Sequence, residues 1–239
     1  MGPVGHSLAA LAALAGLPLG LAGLALRPGW RVGLPERCGR RPENPPGAIW
    51  VHGASVGEIR AAIALMDRLR ESGENVVASS MTLTGRDLLA RIRPQVPCAL
   101  APLDHPWTVE AALRRVRPSA LALVETELWP TWIAAADRRR IPVLVVSGRI
   151  SDSSFPRYRR IGRWLRPILQ RIAAIGARSD ADAERFRALG ASPEKVQVTG
   201  DLKLEPMREP ASLAADLASL VGQVPLIVAG STHEGEETA

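Results

Sequence analysis

The stretch Trp50-Val51-His52-Gly53-Ala54-Ser55-Val56-Gly57-Glu58 decides the fold. The apolar run Ile49–Val51 reads as a buried strand and a Gly/Ser loop follows it. Ile59, Ala62, Ile63, Met66 and Leu69 then recur at helical spacing, so a helix starts near Glu58. Strand, small-residue turn and helix N-terminus in that order form a usual ligand site of an open α/β sheet. The small residues let a ligand approach the backbone, and the first amides of the helix point outward. Glu58 stands at the edge of such a site, where a carboxylate can act as a general base. It can equally be an N-terminal helix acid favoured by the helix dipole.

The same alternation continues along the chain. Strand-like runs lie at Ile49–His52, Val76–Ser79, Ala99–Pro102, Ala120–Val124, Val143–Ser147, Ala173–Ala177 and Val196–Thr199. Helical patterns fall between them at Glu58–Glu71, Arg86–Ile92, Thr108–Val116, Trp132–Arg139 and Asp180–Leu189, the last capped by Gly190. This predicts a parallel sheet with helices on both faces, in a Rossmann-like domain over residues 48–204. Ligands of such sheets bind at the carboxyl ends of the strands. The loops His52–Glu58, Ser79–Gly85, Glu125–Pro130 and Ser147–Ser151 all fall there.

Ser7–Leu26 carries no charged side chain, and its 20 residues would span about 30 Å as a helix. Residues 1–27 are therefore expected to be a membrane anchor, spanning or lying on the bilayer. Arg27, Arg31, Arg37, Arg40 and Arg41 follow it, which puts the body on the cytoplasmic face. Residues 28–47, rich in Pro, Gly and Arg, read as a linker. After Pro206 and Pro210 a second unit begins at 211–239, with a helix near Leu213–Val221 and a strand at Leu226–Ala229. The turn Gly230-Ser231-Thr232-His233-Glu234 follows and can cradle a phosphate. One strand and one helix do not make a domain, so the sequence reads as cut short.

Composition narrows the function classes. The net charge of +6 suits an anionic partner. The histidines at 6, 52, 105 and 233 and the cysteines Cys38 and Cys98 lack metal-ligand spacing, so no metal is expected. Neither a P-loop nor a dinucleotide glycine fingerprint occurs, and basic residues without a nucleic-acid fold signature argue against nucleic acid.

Several motifs carry candidate chemistry. Glu125-Thr126-Glu127-Leu128-Trp129-Pro130 puts two acids at the end of a strand. Near Glu58 they would tune one another's proton affinity, and otherwise they are turn residues. Ser79–Gly85 is hydroxyl-rich and can bind sugar or phosphate, or cap a helix. Lys203, after the last strand, can stabilise developing negative charge or lie on the surface. Phe155–Ile172 interleaves apolar residues at near-helical spacing with arginines. It is either a core-packed helix with solvated arginines or a helix lying on an anionic membrane.

Taken in order, these motifs resemble the 3-deoxy-D-manno-octulosonic acid (Kdo) transferase family of lipopolysaccharide synthesis. The series is the apolar N-terminus, His52–Glu58, Met81–Gly85, Glu125–Pro130, Gly148–Ser151, Asp180–Phe186, Thr199–Lys203 and Ala229–Glu237. The resemblance implies a glycosyltransferase B fold whose N-terminal domain binds a lipid A precursor and whose C-terminal domain binds CMP-Kdo. It implies inverting transfer of Kdo to a glucosamine hydroxyl at the inner membrane, without a cofactor. Glu58 then matches the general base, and Glu125 and Lys203 match the transition-state stabilisers. Ser55, Gly57, Thr82, Thr84, Gly85, Glu127 and Arg149 fall on the acceptor side. Ser231, Thr232, His233 and Glu234 fall on the donor side. Thr131 stands where the family usually has Asn, and most of the donor domain lies beyond these residues, so the chain alone is expected not to turn over. Two other readings fit the same pattern: a non-catalytic acceptor- or membrane-binding half, and another two-domain nucleotide-sugar enzyme such as an epimerase.

Overall fold

The computed structural model describes residues 32–41, 44 and 46–204. All belong to the first, Met1–Glu205, of the two units into which the chain divides. The expected anchor at 1–27 and the unit at 211–239, with Ser231–Glu234, lie outside the described residues. Among those described, no helix is long and apolar enough to cross a membrane.

Seven parallel strands form one sheet: β1 (Ile49–Gly53), β2 (Val76–Ser80), β3 (Cys98–Leu100), β4 (Ala120–Val124), β5 (Val143–Gly148), β6 (Ala174–Ala177) and β7 (Val196–Val198). Each lies within two residues, at both ends, of a run read from the sequence. The central runs are largely apolar because parallel strands are buried on both faces, whereas the edge strand β7 exposes Gln197 and Val198. In β4, Leu121 and Leu123 face one core cluster while Ala122 and Val124 face the other. Full burial of such a leucine contributes about 1.5–3 kcal/mol.

The helices are α1 (Leu34–Arg37), α2 (Val56–Glu71), α3 (Leu83–Ile92), α4 (Pro106–Val116), α5 (Pro130–Arg138), α6 (Phe155–Arg160), α7 (Gly162–Leu169) and α8 (Asp180–Ala188). Ile59 and Met66 of α2 and Leu89 of α3 pack on one face of the sheet. Leu113 of α4, Trp132 of α5, Leu165 of α7 and Phe186 of α8 pack on the other, where the Trp50 and Trp132 rings lie 5.0 Å apart. Helix starts precede the apolar periodicity because caps define them. Ser55 and Thr82 accept from Glu58 N and Gly85 N, while prolines occupy the first turns of α4 and α5. Gly190 adopts φ 104 after α8, and its N–H and that of Ala191 donate to Arg187 O and Phe186 O. That is the Schellman closure a glycine permits.

Two segments differ from their sequence reading. Phe155–Ile172 is not one helix but two, broken at Ile161, immediately before the helix-weakening Gly162. Its inner residues Leu165, Leu169 and Ile172 are buried, whereas Ile161 and Trp164 are exposed. The described part of the 28–47 linker is packed against the sheet. Arg37 and Arg41 are buried and donate to Met81 O and Leu100 O, and the Glu36 carboxylate accepts from Leu100 N and Arg86. The Arg41 guanidinium lies 4.3 Å from the Trp50 ring centroid, a delocalised cation stacked on an aromatic face.

The strand order is β3-β2-β1-β4-β5-β6-β7. From β1 the chain winds outward through β2 and β3, then returns to β4 on the other side of β1 and winds outward again. The carboxyl ends of β1 and β4 therefore flank the point where strand order reverses, the position at which open α/β sheets form their ligand crevice.

Candidate active site

Glu58 sits on the third residue of α2, directly after β1. Its Oε1 accepts from the Ser55 hydroxyl at 2.9 Å and its Oε2 from Ala54 N at 2.6 Å, while Ser55 Oγ accepts from Glu58 N. The pattern is a variant of the capping box in which the carboxylate reaches Ala54 N and the Ser55 hydroxyl rather than the N–H of the N-cap residue itself. The helix-cap reading of Glu58 is thus realised, and it also fixes the carboxylate in one orientation at the crevice. Each carboxylate oxygen retains further acceptor capacity for an incoming hydroxyl. The approach of β1 to α2 is tight: a Cβ on Gly53 would lie 3.1 Å from Ile59 N.

Across the crevice, Glu125 follows β4 with φ 60. A non-glycine residue in this region costs on the order of 1–3 kcal/mol and persists where surrounding structure enforces it, often at active sites. Glu125 N donates to Val146 O, which locks the turn to β5. Its Oε1 lies 2.6 Å from Lys203 Nζ. Lys203 is brought there by a turn that sequence reasoning did not resolve. Ser147, also left-handed at φ 56, donates from Oγ to Asp201 and accepts from Leu202 N, and Arg178 pairs with Asp201. The Gly200-Asp201 pair ahead of Lys203 was the available signal, since Gly and Asp mark turns.

Glu127 lies two residues beyond Glu125, partly buried, with Oε2 accepting from the Trp129 indole N–H at 2.8 Å. Burial, and then the negative charges of Glu58 and Glu125, push its carboxyl from the ordinary 4.5 up to about 7, against the opposing indole bond. The three acids therefore share one electrostatic neighbourhood, and the Glu127 proton is exchanged near neutrality. Because its affinity is raised on folding, the folded chain binds more protons than the unfolded one between these values. Glu127 thus makes stability fall as pH rises through that window. The Trp129 indole resonance is expected to titrate with a midpoint near pH 7, and Glu127→Gln should flatten it. An indole signal unchanged from pH 5 to 9 would contradict the assignment.

The remaining expected residues surround this centre. Thr82 caps α3 through Gly85 N at 3.1 Å, and Ser80 Oγ donates to Ala54 O, joining the two loops. Gly85 has no room for a side chain, since a Cβ would lie 2.3 Å from Ser80 Oγ. Gly57 is in the first turn of α2, and Thr84 is exposed on α3. Arg149 is exposed at the end of β5, its backbone exchanging hydrogen bonds with the Thr126 hydroxyl. Beneath the Glu125–Pro130 turn lies His52, fully buried, its Nδ1 2.9 Å from Ser79 Oγ and its ring edge-on to Trp129 at 6.5 Å. Burial, and then the charge of Arg41, lower its proton affinity to about 3. His52 is therefore a neutral support for the turn rather than a base at physiological pH. The partly buried Asp104 accepts from Thr131 N at the start of α5, and so anchors the other end of this turn.

A family model described as 3-Deoxy-D-manno-octulosonic-acid transferase (kdotransferase) matches residues 31–205. A 3-deoxy-D-manno-octulosonic acid transferase of Bordetella pertussis is 34% identical over 220 residues, covering 87% of this chain and 51% of the relative. One of Haemophilus influenzae is 32% identical over 219 residues, covering 88% and 51%. This chain thus spans about half the length of these two relatives. Among solved structures, the S. aureus MnaA-UDP co-structure aligns over 72% of this chain and 51% of that one, with TM-score 0.54 and 14% identity. That likeness concerns the fold alone.

Proposed function

Because this chain belongs to the 3-deoxy-D-manno-octulosonic-acid transferase family, we propose that it supplies the acceptor-side half of an inverting Kdo transferase. In this reading Kdo passes from CMP-Kdo to the lipid A precursor lipid IVA, on the cytoplasmic face of the inner membrane. The observation that carries it is the Lys203–Glu125 ion pair after β4, on the strand beside the one that leads into Glu58, with Glu127 sensing the charges of both Glu58 and Glu125 where strand order reverses. The acceptor is held by the loops bearing Ser55, Gly57, Thr82, Thr84, Gly85, Glu127 and Arg149.

The acceptor hydroxyl approaches the outer lone pairs of Glu58. As its oxygen forms a bond to the anomeric carbon of Kdo from one face, its proton passes to Glu58. The bond from that carbon to the CMP phosphate oxygen breaks on the other face, which inverts the configuration. Negative charge grows on the departing phosphate, where an ammonium group such as Lys203 stabilises it. Glu125 holds that ammonium in position. Donor binding falls to Ser231, Thr232, His233 and Glu234 and to the region in which the relatives extend beyond the match. The 239 residues by themselves are then expected to bind acceptor without transfer.

The reading is tested with protein isolated from membranes of its source cells, given CMP-Kdo and lipid IVA. The expected product is Kdo-bearing lipid IVA by mass spectrometry, with release of CMP that depends on the acceptor. CMP release without a lipid product would reject it.

A further inference from the structure

Charge is distributed unevenly along this chain. From Ser153 to Ser179 there are seven arginines and no acid, which exceeds the net +6 of the whole chain. Arg171 and Arg178 reach carboxylates, at Asp137 and at Asp182 and Asp201. The five from Arg157 to Arg166 are exposed, and none makes an ion pair with another described residue. Like charges crowded on two short helices destabilise them, so folding gains nothing from the cluster. The same segment carries Trp164, 66% exposed, and Ile161, 48% exposed. The Arg163 guanidinium stands 4.8 Å from the Trp164 ring centroid, and that of Arg159 stands 5.9 Å from the Phe155 ring. Leu165, Leu169 and Ile172 are buried on the inner side, so this segment is fixed to the body.

We propose that the outer face of α6 and α7 is a docking surface for an anionic lipid bilayer. Trp164 and Ile161 would enter the boundary between headgroups and acyl chains, and the five arginines would pair with lipid phosphates. The mixture of residues favours this occupant. An indole flanked by guanidinium groups matches an interface that is apolar on one side and anionic on the other. Each arginine near an anionic surface adds roughly fivefold in affinity. An exposed isoleucine beside the indole gains from acyl chains and has no role in pairing with a nucleic-acid backbone. The uncharged run Ser7–Leu26 is an independent sign of lipid in this chain's surroundings. The face also begins at Phe155, shortly after β5 ends at Gly148, so it adjoins the edge of the sheet that carries the site. The inference does not depend on which sugar is moved, and its failure would leave the functional reading intact.

The complete chain is reconstituted in nanodiscs of phosphatidylcholine alone and of phosphatidylcholine with phosphatidylglycerol. Amide hydrogen exchange is then followed across 155–169. Exchange is expected to slow at least about tenfold in the anionic discs relative to the neutral ones. R159E/R163E should remove the difference, while R91E, a reversal at an exposed arginine of α3, should retain it. W164A, at an exposed position, should reduce the difference and carries the test if the double variant melts early. Equal exchange in the two discs would overturn the proposal, as would persistence of the difference in R159E/R163E. Protection by added RNA in place of anionic lipid would assign the face to nucleic acid and overturn it as well.

Discussion

Glu58→Gln, introduced at the native gene, is expected to reduce Kdo transfer in source-cell membranes by about 10²–10⁴-fold, the usual contribution of a positioned general base. Glutamine keeps an oxygen that accepts the Ser55 hydroxyl or Ala54 N–H, so α2 keeps part of its cap, but it cannot take up the acceptor's proton. Glu58→Ala removes the side chain from both hydrogen bonds. It would therefore combine a catalytic loss with a weaker helix N-terminus and blur the reading. Ser55→Ala separates the two contributions. It deletes the N-cap, at about 0.5–2 kcal/mol, and leaves the carboxylate held by Ala54 N alone. Its melting temperature should fall more than that of Glu58→Gln, and its rate should fall less. If Glu58 were only a capping acid, the order would reverse: Glu58→Gln would melt early and transfer at a near-normal rate. That outcome would remove Glu58 from the reaction.

The sheet was legible because parallel strands buried on both faces are largely apolar, and seven such runs stand out between helical stretches. Strand order was not legible, because no local pattern states that β4 returns to lie beside β1. That return is what sets Glu125 across from Glu58. Glu125 and Lys203 could be singled out as candidates, one as an acid after a strand and the other through the family's motif. Their 2.6 Å pairing depends on left-handed backbone at Glu125 and Ser147, and non-glycine residues give little warning of it. Glu127 was legible as a site residue, but its proton affinity arises from burial and from two acids, one of them remote in sequence. The packing of residues 32–41 was hidden by composition, since a Pro- and Gly-rich stretch reads as linker. Buried Arg37 and Arg41 reveal themselves only through the carbonyls they meet.

Lys203→Met is expected to lower transfer by about 10²–10³-fold, comparable with removing one donor to developing negative charge in other enzymes. Methionine keeps most of the length of the stem and discards the ammonium, so the turn held by Ser147, Asp201 and Leu202 should survive. Two consequences distinguish a catalytic pair from a surface ion pair. A surface pair contributes about 0–1 kcal/mol to stability and nothing to rate. A catalytic pair would show a large rate loss with a small change in melting temperature. In the proposed mechanism Glu125 acts through Lys203, by holding the ammonium where the phosphate would depart. Glu125→Gln should therefore cost less than Lys203→Met, and the double variant should be little worse than Lys203→Met alone. Glu125→Gln carries a second readout, independent of turnover. Its charge is one of those that raise Glu127, so the midpoint seen at the Trp129 indole should move to lower pH. Rate losses that multiply in the double variant would mean that the two residues act separately. An unmoved indole midpoint would mean that Glu125 lies outside the electrostatic neighbourhood of Glu127.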